Sequence, residues 1–411
     1  MPSASQQSAG AKTARPTGGK IWRPAKGEPV IGYVNQLISS AVGTGASDIH
    51  IEPRENELRV RFRIDGVLFN QAAPPVRMHP AIVSRLKIMA NLDIAERRLP
   101  QDGRIRASVE GRSVDLRLSI LPINHGEKCV IRILDDRAIS VGLDSLGMGP
   151  ETLKAFSKQI LQLHGIVLVT GPTGSGKSTT LYSALQVMDS NCLNISTVED
   201  PVEYELTSIN QVHVLEHIGL SFAAALRSLL RQDPDVIMVG EIRDEETAHI
   251  AVQAALTGHL VLSTLHTNDA PSSITRLINI GVEPYLISAA VNAVLAQRLV
   301  RCICPHCSRP VDKIPRAETV YLESCGAPKK QLFSGEGCDN CRQTGYKGRI
   351  GLYEFLELND ELRDVITRNP SLGELKSLVR EMGMRSLRDD GLEKVFAGQT
   401  TVKELIRVTE S

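Results

Sequence analysis

Residues Ile166-Val-Leu-Val-Thr170 run directly into Gly171-Pro-Thr-Gly-Ser-Gly-Lys-Ser-Thr179, and the reading of this stretch decides the fold. A short unbroken run of β-branched and aliphatic residues predicts a strand buried on both faces. It empties into Gly-x4-Gly-Lys-Ser, and residues 179–187 have helix-forming composition. Glycines at 171, 174 and 176 allow backbone conformations that a Cβ forbids, so successive N–H groups converge on phosphate oxygens. The helix amino terminus adds partial positive charge. Gly171, Pro172, Thr173, Gly174, Ser175, Gly176, Lys177, Ser178 and Thr179 are therefore the expected cradle for a nucleoside triphosphate. Lys177 would reach the β- and γ-phosphates, and the Ser178 hydroxyl would ligate Mg²⁺.

Outward from this motif, buried strands at 167–170, 194–198, 236–239 and 260–264 alternate with helical stretches. That order predicts an α/β core with a parallel sheet and its ligand at the carboxyl ends of the strands. Strand 194–198 leads into Glu199-Asp200-Pro201-Val202-Glu203, and strand 236–239 into Gly240-Glu241. Hydrolysis needs one carboxylate to polarise the attacking water and another near Mg²⁺. The second strand would ordinarily end in Asp; glycine stands there, which leaves Glu241 to act on Mg²⁺ through water. Arg227 and Arg231 are four apart, on one face of a helix, as a phosphate or carboxylate clamp or as surface charge. His259 and His266 bracket strand 260–264, as structural histidines or as sensors of a γ-phosphate.

Before this core, residues 1–27 hold Lys12, Arg15, Lys20, Arg23 and Lys26 but no acid, and read as a flexible basic tail containing the only tryptophan, Trp22. Residues 28–137 read as an α+β domain with an antiparallel sheet: a helix carrying Val34, Leu37, Ile38 and Val42, period-two strands at 47–53 and 57–64, a hairpin at Asp65-Gly66, a helix at 79–90, and strands at 101–105, 114–121 and 128–134 around a second hairpin at Glu110-Gly111. Arg59, Arg61 and Arg63 share one strand face, with Arg104, Arg117 and Arg132 on other strands. They are either a solvated sheet face or, in part, fingers that reach a neighbouring subunit's triphosphate. Residues 138–149 read as a linker, 150–300 as the ATPase core, 301–350 as a cysteine-bearing subdomain and 351–411 as a helical region with capping boxes at Ser371/Glu374 and Thr401/Glu404.

The chain of 411 residues suits two or three domains, and no apolar run approaches the ~18–20 residues of a membrane span. A formal net charge of zero disfavours a dedicated nucleic-acid binder. Eight cysteines without an export signal point to a reducing, cytoplasmic setting, where cysteine pairs serve metals. Cys304-Pro-His-Cys307 and Cys338-Asp-Asn-Cys341, with thirty residues between them, predict a closed four-thiolate zinc site. Cys302 and His306 are set aside as ligands, and Cys129, Cys192 and Cys325 are expected to fill apolar space.

Taken together, the cradle, Thr197-Val-Glu-Asp-Pro-Val-Glu203, Leu226-Arg-Ser-Leu-Leu-Arg-Gln-Asp-Pro-Asp235, Gly240-Glu-Ile-Arg-Asp244 and Gly258-His-Leu-Val-Leu-Ser-Thr-Leu-His266 resemble the secretion traffic ATPases, hexameric motors of type II secretion and type IV pilus assembly. The resemblance runs from about Pro29 to the end. It implies a RecA-like core behind a PAS-like domain, with Glu203 as general base supported by Glu199 and Asp200, and Glu241 as the Walker B acid. It makes His259 and His266 the histidine box, and Arg104 and Arg117 contacts to nucleotide between domains or subunits. ATP, Mg²⁺ and structural zinc are the implied cofactors. A homohexamer, an inner-membrane platform protein and a membrane-anchored docking protein are the implied partners, with the motor peripherally held at the inner membrane. The zinc knuckle marks assembly and secretion motors rather than retraction motors. This branch usually carries a further amino-terminal docking domain; here only the basic tail precedes Pro29, as expected of either a naturally short member or a trimmed chain. The rival readings are a nucleotide-gated scaffold and a DNA-transfer ATPase of conjugation.

Overall fold

Leu58–Ile64 alternates aliphatic or aromatic residues with arginine, and the strand it forms buries Leu58, Val60, Phe62 and Ile64 while the arginines face the other way. In a computed structural model, which describes residues 29–109, 111–134, 141–328 and 330–410, this strand belongs to the first of two units, Met1–Asp135 and Asp136–Ser411. The basic tail, Trp22 and Glu110 of the second hairpin lie outside the described residues.

The first unit comprises α1 (Pro29–Gly43), β1 (Ala46–Pro53), β2 (Leu58–Ile64), β3 (Val67–Gln71), α2 (His79–Met89), β4 (Gln101–Val109), β5 (Arg112–Ile123) and β6 (Gly126–Leu134). Its six strands pair in the order β3-β2-β1-β6-β5-β4, with every pairing antiparallel. Tyr33, Val34, Leu37 and Ile38 of α1 and Ile82, Val83 and Leu86 of α2 bury one face of that sheet. At the first hairpin Asp65 and Gly66 both have positive φ, as a two-residue turn matched to strand twist requires.

The second unit holds α3 (Pro150–Ile160), β7 (Gly165–Thr170), α4 (Lys177–Gln186), β8 (Ile195–Glu199), β9 (Asn210–His213), α5 (Phe222–Leu229), β10 (Val236–Val239), α6 (Glu245–Leu256), β11 (Leu260–Leu265), α7 (Pro271–Ile280), α8 (Pro284–Ala290) and β12 (Val291–Ile303). Then come β13 (Ser308–Pro310), α9 (Arg316–Ser324), β14 (Phe333–Gly335), β15 (Tyr346–Glu357) and the helices α10 (Asp360–Thr367), α11 (Leu372–Glu381), α12 (Leu387–Phe396) and α13 (Val402–Thr409). Its main sheet has the order β15-β12-β7-β11-β10-β8-β9, and only β15 runs antiparallel to its neighbour. All six residues of β7 are buried. Ile166 and Leu168 join the core formed with α5, α6 and α7, while Val167 and Val169 join the opposite core with Phe156 of α3 and Leu181 of α4. Two cores fed by alternate residues explain why the strand reads as continuously apolar.

Some expected boundaries shift. β12 and β15 run through 300/301 and 350/351, so the cysteine region grows from the ends of two core strands, because those strands pair along most of their length. Leu143 and Met148 are buried and the Leu146 carbonyl accepts a hydrogen bond from Tyr353 Oη at 3.0 Å, so 141–149 packs into the second unit instead of linking freely. The Ser371/Glu374 box forms as expected, and a second, Ser386/Asp389, opens α12. At α13 only half a box forms: Thr401 caps the helix, but Glu404 is drawn to Arg301 and Arg407. Cys129 is fully buried and Cys325 half-buried, but Cys192 is exposed, in the turn between α4 and β8, and fills no apolar space. No helix among the described residues is long and apolar enough to cross a membrane.

Candidate nucleotide site

The strand order sets the chemistry, since parallel neighbours release their loops along one edge. Beyond Thr170 the chain turns through Gly171, Gly174 and Gly176 with φ of 152°, 79° and 91°, and α4 starts at Lys177. Gly176 is thus the left-handed residue at the helix start, a conformation that costs a β-carbon residue about 1–2 kcal/mol. Pro172, Thr173, Gly174 and Ser178 are exposed, whereas Ser175 and Lys177 are buried. Lys177 Nζ folds onto the loop, donating to the carbonyls of Gly171 (2.8 Å) and Pro172 (3.3 Å).

Beside the loop, β10 ends at Val239 and Gly240 follows it. A Cβ there would stand 3.2 Å from the Val198 carbonyl, which accounts for glycine where an aspartate would ordinarily end such a strand. The next residue carries the carboxylate: Glu241 lies 3.3 Å from His266 Nε2 and 2.5 Å from an Arg243 guanidinium nitrogen, and its side chain is only 14% exposed. The end of β11 is tied to the end of β7 by Thr170 and Thr267, whose hydroxyls are 2.7 Å apart.

After β8 the two halves of the acidic stretch part company. Glu199 is buried and held by Thr197 Oγ1 (2.6 Å), Gln211 Nε2 (3.0 Å) and the Tyr182 hydroxyl, so it has no freedom to polarise water. Glu203 is half-buried on the following loop, and its N–H donates to Tyr182 Oη at 3.4 Å. Tyr182 of α4 therefore joins Glu199 to the Glu203 segment; burial first, then the charge of Glu199, push its phenol up. Nothing local in the sequence marks Tyr182, nor Gln297 of β12, whose side chain meets the cradle loop.

Other expected residues lie elsewhere. His259 precedes β11, whose first residue pairs with Gly165 at the amino end of β7, so it stands a strand's length (about 20 Å) from the cradle edge. Its Nδ1 sits 2.9 Å from the Ala254 carbonyl, which makes it a structural histidine in its own subunit. Arg227 is ion-paired with Glu246 (2.5 Å), and Arg231 folds back on the Arg227 carbonyl (2.7 Å) beyond the end of α5, so neither forms the expected clamp here. Arg61 and Arg63 face Glu52 (2.7 Å) and Asp48 (3.7 Å), and Arg59 faces Glu57 (3.6 Å), so these three are matched within their own sheet. Arg104, Arg117 and Arg132 form a row across β4, β5 and β6, with Asp48 3.3 Å from Arg132 at one end.

The cysteines converge. The Sγ atoms of Cys304, Cys307, Cys338 and Cys341 lie within 4.8 Å of one another, with separations of 3.7–3.8 Å for three pairs. Four sulfurs at about 2.3 Å from a common ion have tetrahedral edges of about 3.8 Å, so this donor set fits a thiolate-bound metal. Burial disfavours charge on Cys341, but the N–H groups of Cys338 and Gly345 outweigh it and hold that thiol down at about 6.

A glycine-rich turn into a helix at the carboxyl edge of a RecA-like sheet, with an acidic residue just past the end of a strand two places along that edge, defines a P-loop NTPase. Over residues 24–407 the sequence matches the family described as Type II/IV secretion system protein, and the chain belongs to that family. It is 52% identical to the type II secretion system protein HxcR of Pseudomonas aeruginosa over 93% of this chain and 78% of that one. It is 49% identical to the type IV pilus assembly ATPase PilB of Myxococcus xanthus, over 93% and 68% respectively. The crystal structure of the pilus retraction motor PilT with bound ADP matches with a TM-score of 0.61 at 26% identity, covering 92% of this chain and 97% of that one.

The cradle's pH response follows from Lys177. Burial pushes its ammonium down to about 8, against the pull of Glu241. Polyphosphate oxygens beside it would raise it again, so binding should take up a proton near pH 8, and affinity for ATP should fall as pH climbs above that value. Calorimetry in two buffers of different ionisation heat measures the uptake; proton release on binding would contradict it.

Proposed function

We propose that this chain is the ATPase motor of a type II secretion or type IV pilus assembly machine, working as a homohexamer on the cytoplasmic side of the inner membrane. The observation that carries this reading is the built cradle, with Glu241 and His266 at its rim, in a chain about half identical to both a secretion protein and a pilus assembly ATPase. Backbone N–H groups of 174–178 and Lys177 would hold the phosphates of ATP. Ser178 and Glu241 would hold Mg²⁺, whose charge would offset the negative charge that develops on the phosphates. Glu203, positioned through Tyr182, would take a proton from the water that attacks the γ-phosphorus as the bond to the ADP oxygen breaks. Glu199 supports it by fixing Tyr182. Structural zinc is the ion that the four cysteines suit best.

The arginine row supports a trans contribution. Like charges side by side across strands are costly to a sheet, and no carboxylate among the described residues pairs with Arg104, at the β4 end of the row. A neighbouring subunit's triphosphate would be the anion that meets Arg104, with an inner-membrane platform protein receiving the stroke. ATPase rate per subunit should therefore rise with protein concentration, and Arg104→Ala or Arg117→Ala should lower the plateau by about a hundredfold or more while leaving nucleotide binding intact. A flat profile together with a strictly monomeric mass would remove the motor reading.

A further inference from the structure

β12 passes beside the strand that feeds the cradle, with Ala296 opposite Thr170. One residue on, Gln297 is 2% exposed and spans the loop. Its Nε2 donates to the Ser175 carbonyl at 2.8 Å, and its Oε1 accepts from Thr180 Oγ1 at 2.7 Å. The loop thus offers one acceptor and α4 one donor, a pair that an amide satisfies and a carboxylate does not. Both the main chain and the side chain of Gln297 lie close against the loop glycines: a Cβ on Gly171 would stand 2.5 Å from the Gln297 carbonyl oxygen, and one on Gly176 would stand 2.7 Å from the Gln297 Nε2. Arg298, also buried, donates to that same carbonyl (3.2 Å) and to Asn268 O (3.0 Å) and Oδ1 (2.9 Å), so the residue is pinned from behind by the loop that follows β11.

In a trans peptide the carbonyl and the next N–H point in opposite directions. Drawing the Ser175 carbonyl onto Gln297 therefore turns the Gly176 N–H away from β12, toward the open side of the loop. We propose that Gln297 is a positioning residue for the cradle, setting the direction of the Gly176 N–H before any phosphate arrives. The inference rests on the reading of 171–178 as the triphosphate cradle.

The test is the Kd of the full chain for the β,γ-imido analogue of ATP, with KM and kcat measured beside it. For Gln297→Glu, Kd and KM should rise about tenfold near pH 8, with kcat changed less, because a second oxygen now faces the Ser175 carbonyl. The deficit should shrink to about threefold near pH 5.5, where the introduced carboxyl is protonated and regains a donor. Thr180→Val, which removes only the hydroxyl that orients the amide, should raise Kd about threefold without that pH dependence. Values within about twofold of the parent for both variants, or a Gln297→Glu deficit that is the same at both pH values, would overturn the proposal. If Gln297→Glu does not fold, the Thr180→Val result decides alone. Lys177→Ala runs alongside: if it abolishes binding, the cradle reading holds and a negative result counts against Gln297 only. If it binds normally, the cradle reading itself has failed and this inference falls with it.

Discussion

Glu203→Gln should cut ATP turnover by a factor of about 10²–10⁴, the usual worth of a positioned general base, while leaving affinity for the nucleotide nearly unchanged. The asymmetry follows from where the residue sits. Glu203 is half-buried on the loop after β8, tied by its backbone N–H to Tyr182, and the phosphate-facing N–H groups and Lys177 belong to another segment. Glutamine keeps the shape and loses only the proton acceptor. Glu199→Gln makes the informative comparison, because Glu199 accepts from Thr197, Gln211 and Tyr182. An amide there turns a donor toward other donors, so that variant should melt lower as well as turn over more slowly. Stopped-turnover and melting measurements on the pair separate the roles. Full turnover in Glu203→Gln would move the base elsewhere, and secretion or piliation surviving without hydrolysis would favour a nucleotide-gated scaffold.

Loss of the cysteine cluster should be the largest stability effect. Cys304 and Cys307 follow the end of β12, and Cys338 and Cys341 precede β15, so one ion would close a loop of more than thirty residues between two paired core strands. Structural zinc contributes about 10–16 kcal/mol in isolated finger peptides. Here the neighbouring core, built on Val300, Leu352, Val395 and Leu405, keeps part of the structure in place without it. Cys304→Ser with Cys338→Ser should therefore abolish bound metal and lower the melting temperature by about 10 °C or more, as a loss of several kcal/mol does in a domain of this size. One zinc per chain in the parent, and none in the variant, is the metal analysis that goes with it. A variant that melts like the parent would make the cluster an adventitious thiol group.

The motifs that could be read in order are those whose parts are contiguous. Strand, glycine turn and helix follow one another through 165–186, and local sterics alone demand glycine where φ is positive. The cysteine knuckles are equally local, each spanning four residues, and only their meeting needed the fold. Period-two alternation placed the arginines of β2 on one face, but not their partners, because Asp48 and Glu52 reach them from the neighbouring strand. His259 and His266 look equivalent on either side of one strand, and strand direction separates them. A parallel strand has a ligand end and a far end, and only the second histidine is at the first.

By itself, then, the sequence determined the nucleotide cradle, the alternating α/β order, the antiparallel first unit and the four thiols, since each rests on residue type within a few positions. Only the tertiary structure decided that Glu199 is locked by Tyr182, that Arg227 pairs with Glu246 of α6 while Arg231 folds back on its own helix end, and that Gln297, more than a hundred residues along the chain, meets Ser175. The reason is physical. A buried donor or acceptor must find a partner, and which one it finds depends on strand order and register, which couple distant segments and leave no mark at either position alone.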